Sequence, residues 1–325
     1  MQNNQQFYEI YEKPNWWKRN TIEIWITIVG LSIITLVFSA KVYRETDTLN
    51  IEGAAQLGDF VGGFIGTIFT LISVLLLYST LKDQRTASTI EKFETKYFEL
   101  IKMHRENVTE MGLKEHFGKK IFVMLIREFR EILKITMKIA KECNQKFDQK
   151  ELFIISYYAL FFGVGPNSSR MLKASLAKYD ATFITEFESA LNNKETKKRI
   201  QKEKNFKYTP FEGHQSRLGH YYRHLYQSVC YVDKQTSDID KYEYVKTLRA
   251  QLTTHEQALL YINCLTVIGG VWWDKKLLVK YRFVQNIPYH FFDKEKEIDL
   301  EKDFPFDYFE WQENNLRTKN KVLTS

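Results

Sequence analysis

Arg217, His220 and His224 stand at i, i+3 and i+7 in the segment GHQSRLGHYYRHLYQ (Gly213 to Gln227). On a helix that spacing puts all three within about 60° of arc. An imidazole with a pKa near neutrality can take a proton from a hydroxyl, and a guanidinium can grip a phosphate through two parallel N–H bonds. The trio therefore fits metal-independent cleavage of a phosphodiester bond, with the second imidazole as acid or as orienting partner. Leu218, Tyr222, Leu225 and Val229 form a separate apolar stripe that would anchor such a helix in a core, with Tyr221 between the two sets. A plainer reading is a polar network in which Arg217 and His220 pair with carboxylates of the following helix, such as Glu243 or Glu256. A ligand or trigger pocket is a third.

Just upstream, Lys194 to Lys207 holds seven basic residues against two acids and carries +5 of the chain's net +7. Lys197, Lys198, Arg199, Lys202 and Lys204 could draw in a nucleic-acid backbone, and Tyr221 could stack on a base. The same stretch also reads as a solvated basic loop or a contact with anionic lipid. His104 and His255 sit in apolar helical stripes, the usual setting of a core histidine satisfied by a neighbour, and His214 precedes Arg217 in a loop. Either stripe histidine could join the Arg–His site in space. No metal-ligand spacing, phosphate-cradling glycine loop or nucleophile elbow occurs, so no metal or cofactor is expected. Three widely spaced cysteines, Cys143, Cys230 and Cys264, argue against a disulfide framework.

Two apolar stretches precede these residues. Ile24 to Ala40 is uncharged over 17 residues and Phe60 to Leu81 over 22. Each is long enough for a hydrocarbon layer of about 30 Å, the first barely. Lys13, Lys18 and Arg19 before the first, and Lys82 and Arg85 after the second, predict cytoplasmic termini on both sides of a membrane hairpin. Gly58, Gly62, Gly63 and Gly66 mark a small-residue face suited to close packing of spans or protomers, with a gated pore as the sharper alternative. A cleaved leader ending near Ser39-Ala40 and a buried soluble hairpin are the rival readings. Elsewhere the chain is polar, with a mean hydropathy of −0.38 overall, and 5 prolines and 14 glycines among 325 residues favour helices.

The predicted architecture is mainly α. It comprises a lead (1–20), a two-helix transmembrane hairpin (21–82), a helical cytosolic domain (83–272) and an aromatic, charged extension (273–325). Within it, helices are expected over Lys119 to Cys143, Gln149 to Phe162, Ser168 to Asn192, Ser216 to Val232 and Asp240 to Ile268. A basic, mobile connection is expected over Lys194 to Gly213, and a strand only at short aromatic runs such as Tyr281 to Val284.

Five segments together resemble the phage abortive infection proteins of the AbiC-like family. They are the glycine span Gly58 to Gly66, KFETKYFELIKMHRENV (Lys92 to Val108), FFGVGPNSS (Phe161 to Ser169), Gly213 to Gln227 and Tyr244 to Leu265. The resemblance covers roughly residues 20 to 270. It implies two N-terminal spans, a helical cytosolic domain and a role in stopping phage propagation, without a catalytic residue list. Arg217-x₆-His224 also resembles the R-x₄₋₆-H signature of HEPN-type ribonucleases, which are helical and dimeric. The expected setting is the bacterial inner membrane. The expected partners are the bilayer, further copies of the chain, a phage-encoded trigger and RNA.

Overall fold

The computed structural model describes residues 21–39, 51–165 and 169–312. The chain divides into two compact units, Met1–Arg85 and Thr86–Ser325. The described parts are mainly helical, as expected.

In the first unit, α1 (Thr21–Ser39) and α2 (Ile51–Phe60) are followed by a π-helical turn, Val61–Ile65. The long helix α3 (Gly66–Glu110) then begins, belonging to this unit as far as Arg85. Among the described residues one helix, Gly58–Glu110, is long and apolar enough to cross a membrane. Its best window has a mean hydropathy of 2.3 and none of it is buried. Leu71, Leu75, Leu77 and Tyr78 are each more than half exposed. The first apolar stretch is helical too, and a Cβ on its Gly30 would lie 3.8 Å from the Phe69 ring. The flanking charges at Lys13, Lys18 and Arg19, on which the predicted topology rests, lie outside the described residues.

The glycine face departs from the simple i, i+4 reading. A π-helical turn, Val61–Ile65, runs through Gly62 and Gly63. A Cβ added at Gly58, Gly62 or Gly63 would meet nothing within 4 Å.

The second unit is a helical body around one core. Phe93, Tyr97, Ile101, His104 and Val108 bury one face of α3, as their spacing predicts. The glycines at 112 and 118 close that helix into a small hairpin, β1 (Gly112–Leu113) paired with β2 (His116–Phe117), an element not expected from the sequence. α4 (Lys120–Glu142) is central and packs on α5 (Gln149–Phe162), α7 (Ala181–Asn192) and α11 (Thr254–Cys264). Asp148 caps α5 with a full capping box, its carboxylate taking the Glu151 N–H at 2.7 Å.

Three expectations are corrected. Ser168 to Asn192 is two helices, α6 (Ser169–Leu176) and α7, because Asp180 takes the Phe183 N–H and starts a new helix. Lys194 to Gly213 is no mere connection: α8 (Lys194–Glu203) starts at an Asn193 cap and is anchored by the buried Ile200. Asp240 to Ile268 breaks into α10 (Lys241–Arg249) and α11, since Thr253 and Glu256 form a second capping box. The break falls just ahead of His255, so its apolar stripe does not run back through Asp240 to Ile268 as a single helix. α9 (Gln215–Asp233) matches its prediction to within a residue.

After α11 come two single-turn helices, α12 (Val271–Asp274) and α13 (Leu277–Lys280), and no strand at Tyr281 to Val284. The described part of the C-terminal segment packs inward: Trp272, Leu277, Phe283, Ile287 and Phe309 are fully buried. Arg249 ties this segment down by donating to the carbonyls of Tyr281 and Arg282, each at 3.0 Å.

Candidate functional site: the two faces of α9

α9 is held by Leu218, Leu225 and Val229, all fully buried, and by Tyr221, whose hydroxyl donates to Glu256 Oε1 at 3.0 Å. That packing turns the three singled-out residues to different neighbours. Arg217 is half-buried and donates through Nε to the Gly112 carbonyl at 2.8 Å, pinning α9 to the β-hairpin. The predicted pairing of Arg217 with Glu243 or Glu256 does not occur, because Glu256 is committed elsewhere. Its Oε2 accepts from the Thr253 N–H and hydroxyl, both at 2.7 Å.

His220 is exposed and lines a cleft of about 790 Å³ together with Arg223, Tyr226, Phe162, Ile268 and Trp272. His224 turns the other way. Its ring stacks on His104 of α3, with centroids 6.2 Å apart and planes 19° from parallel. None of the four ring nitrogens of this pair has a hydrogen-bond partner. So His104 does join His224 in space, but it is not satisfied by a neighbour. Tyr221, proposed from its position as a base-stacking ring, is enclosed between His104 at 5.3 Å and Phe122 at 4.9 Å.

The electrostatics keep both imidazoles neutral. Burial, then His224 and Lys119, push His104 down to about 4. Burial and His220 lower His224. This has a measurable consequence. His104 takes a proton near its ordinary 6.5 when unfolded and near 4 when folded. Between those values the unfolded chain holds more protons, so stability rises with pH through the window. The contribution is complete above the unfolded value, is lost as pH falls toward the folded one, and is worth at most about 3 kcal/mol. Denaturant unfolding at pH 7 and pH 5 should show a larger acid loss in the wild type than in His104→Gln. Equal losses would refute a neutral buried His104.

The expected nucleic-acid residues sit on α8 and just beyond it. Lys198, Arg199 and Lys202 are exposed; Lys197 and Lys204 are partly covered. Arg199 pairs within its own helix with Glu203 at 3.2 Å, and Lys204 pairs with Glu131 of α4 at 3.1 Å. Part of this charge is therefore spent inside the fold. Among the described residues no group of three or more His, Cys, Asp or Glu could hold a metal ion.

Sequence reasoning missed the most buried polar cluster. Glu128 on α4 is fully enclosed. Its Oε2 accepts from Tyr208 Oη at 2.7 Å and His214 Nε2 at 3.0 Å, and its Oε1 accepts from the Phe211 N–H at 2.7 Å. Burial alone would raise its carboxyl. The adjacent His214 and these three hydrogen bonds outweigh that and hold it below its ordinary range. Nothing in local spacing could have found it, because its partners lie eighty or more positions away. One signal was available: an acid at a position whose helical neighbours, Leu125 and Phe129, are core residues.

Beside this hub two glycine segments cross backbone to backbone. Gly163 (φ +80°) and Gly213 (φ +87°) both adopt the left-handed region. The His214 N–H donates to the Phe161 carbonyl at 2.9 Å, and the Val164 N–H to the Phe211 carbonyl at 2.9 Å. The open C-terminal end of α5 is thereby closed by the loop that leads into α9.

Among the described residues these features define a mainly helical protein with one apolar helix of membrane-crossing length and an unpartnered histidine pair behind α9. Residues 213–292 match the family described as "Putative phage abortive infection protein", which supports an AbiC-like family for this chain. The match takes in α9, α10 and α11 and stops within the segment after α13. No curated protein and no solved structure matches the chain.

Proposed function

We propose that this protein is a bacterial inner-membrane abortive infection effector. The apolar part of its long helix, ahead of Arg85, lies in the bilayer and associates between copies through the glycine face, and its helical second unit lies on the cytoplasmic side, where it receives the infection signal. The carrying observation is the unburied apolar window of Gly58–Glu110. Bare leucines over several turns are costly in water, and a lipid layer covers them. The open space at Gly58, Gly62 and Gly63 supports close approach of a second copy's helix.

A second reading is supported by the unpartnered imidazole of His224 beside His104. In it the Arg217, His220 and His224 face is a metal-independent HEPN-type ribonuclease site and the α8 cations bind RNA. Plaque assays on cells expressing each variant separate the two. Gly62→Leu should cut protection about tenfold or more, which corresponds to about 1.4 kcal/mol of helix association, while the second unit keeps its helicity. His224→Ala should leave protection intact. If His224→Ala abolishes protection and RNA cleavage while Gly62→Leu is silent, the ribonuclease reading replaces the bilayer one.

A further inference from the structure

A second cleft, of about 360 Å³, opens between α3, the corner joining β2 to α4, and the start of α11. His104 forms part of its wall, at 2% exposure and with both ring nitrogens orphaned. A polar group enclosed this completely without a partner is expensive to keep, and a ligand that supplies one removes the cost. Two cations share the lining, Arg105 on the exposed side of α3 and Lys119 at the corner. Lys119 Nζ is already steered inward by the Gln251 carbonyl at 2.8 Å. The opposing carboxylate, Glu256, has both oxygens occupied by Tyr221 and Thr253. Its charge is therefore turned to the fold's own donors. At the rim the Phe117 ring is 62% exposed and offers an apolar face.

We propose that this cleft binds a small phosphate-bearing molecule, with Arg105, Lys119 and His104 as donors to the phosphate oxygens and Phe117 against its organic part. Two cations, an imidazole able to donate and a carboxylate already hydrogen-bonded within the fold select an anion rich in acceptors. The volume suits a ligand up to a nucleoside monophosphate. On binding, the His104 ring turns one of its buried nitrogens toward the cleft. The groups facing that ring are His224 and Tyr221 from α9, Lys119 from the corner and Glu256 from α11, with His220 next to His224. An anion beside it reverses the balance that keeps it neutral, so binding takes up a proton. The inference concerns the second unit alone and stands whether or not the apolar helix acts in the bilayer.

The test is calorimetric titration of the full chain in detergent micelles with orthophosphate, AMP and adenosine. Runs in two buffers of different ionisation heat read proton uptake. AMP tighter than orthophosphate identifies an ester as the ligand, and equal affinities identify free phosphate; adenosine should not bind. His104→Phe, which keeps the ring packing, should weaken binding about tenfold or more and abolish the extra proton uptake. Lys119→Met should weaken binding by a similar factor, and it decides the matter if His104→Phe loses its far-ultraviolet helical signal. The proposal is overturned if the wild type binds neither phosphate compound at about 10 mM, if adenosine binds as well as AMP, or if folded Lys119→Met and folded His104→Phe bind like wild type.

Discussion

Glu128→Ala should destabilise the second unit by about 3–5 kcal/mol, the cost of breaking an enclosed charge cluster by deleting one member. The substitution removes the acceptor for three donors at once: the Tyr208 hydroxyl, the His214 ring and the Phe211 N–H. All of them sit where water does not reach, so each keeps its desolvation cost without its compensation. A typical domain is stable by only about 5–15 kcal/mol, so the loss is a large share of the whole. Glu128→Gln keeps one acceptor oxygen, which can still serve Tyr208 and His214, but sets its NH2 against the Phe211 N–H, and should cost less than alanine. Denaturant unfolding of the full chain in detergent, followed by far-ultraviolet circular dichroism, orders the variants. An alanine variant within about 1 kcal/mol of wild type would show that the cluster is incidental. The damage should also reach α9, because the hub fixes the loop that delivers its first turn.

Gly213→Ala is the second large effect, expected at about 3 kcal/mol or more. A Cβ there would stand 2.1 Å from the Phe162 carbonyl oxygen and 2.5 Å from its carbon. Those are backbone atoms at the end of α5 and cannot swing aside. The positive φ adds strain for any L side chain. Gly163→Ala meets the mirror problem, 2.3 Å from the Glu212 carbonyl carbon. Gly219→Ala, six residues along on α9, is the internal control. Its Cβ would touch only the Phe161 ring at 3.7 Å, and alanine favours helix over glycine by about 0.5–1 kcal/mol. Thermal melts of the three variants should therefore fall far, fall far and hold or rise. If Gly213→Ala melts with Gly219→Ala, the backbone crossing is not as tight as described.

Much of the fold could be read from local pattern. The buried stripe of α3 and the limits of α9 follow from period, and the start of α5 from Asp148, because a helix start is favoured by residues that satisfy its free N–H groups. The same rule explains two of the errors. Asp180 and Thr253 are good caps, but each sits inside an apolar run that seemed continuous, and the run masked them. Asn193 was likewise overlooked as a start for α8, because the strongly basic composition of Lys194 to Lys207 suggested a solvated loop.

The candidate site was legible only in its residue types. Angular spacing places Arg217, His220 and His224 on one arc of α9. Spacing does not say what stands opposite. Arg217 meets a carbonyl of a hairpin, His220 opens to one cleft and His224 meets an imidazole from more than a hundred positions upstream. The crossing of Gly163 with Gly213 was visible as two glycine motifs but not as a contact.

From the residue order alone come the helical character, two apolar stretches read as membrane-crossing, of which the described residues support one, the absence of a familiar metal or nucleotide motif and the likeness to abortive infection proteins. Those properties are local: they depend on period, length and composition within one stretch of chain. The Glu128 hub, the stacked histidines and the loop crossing emerged only from the packed molecule. Each depends on which distant surfaces are pressed together without water, and the energy of a buried polar group is set by those neighbours rather than by its own identity.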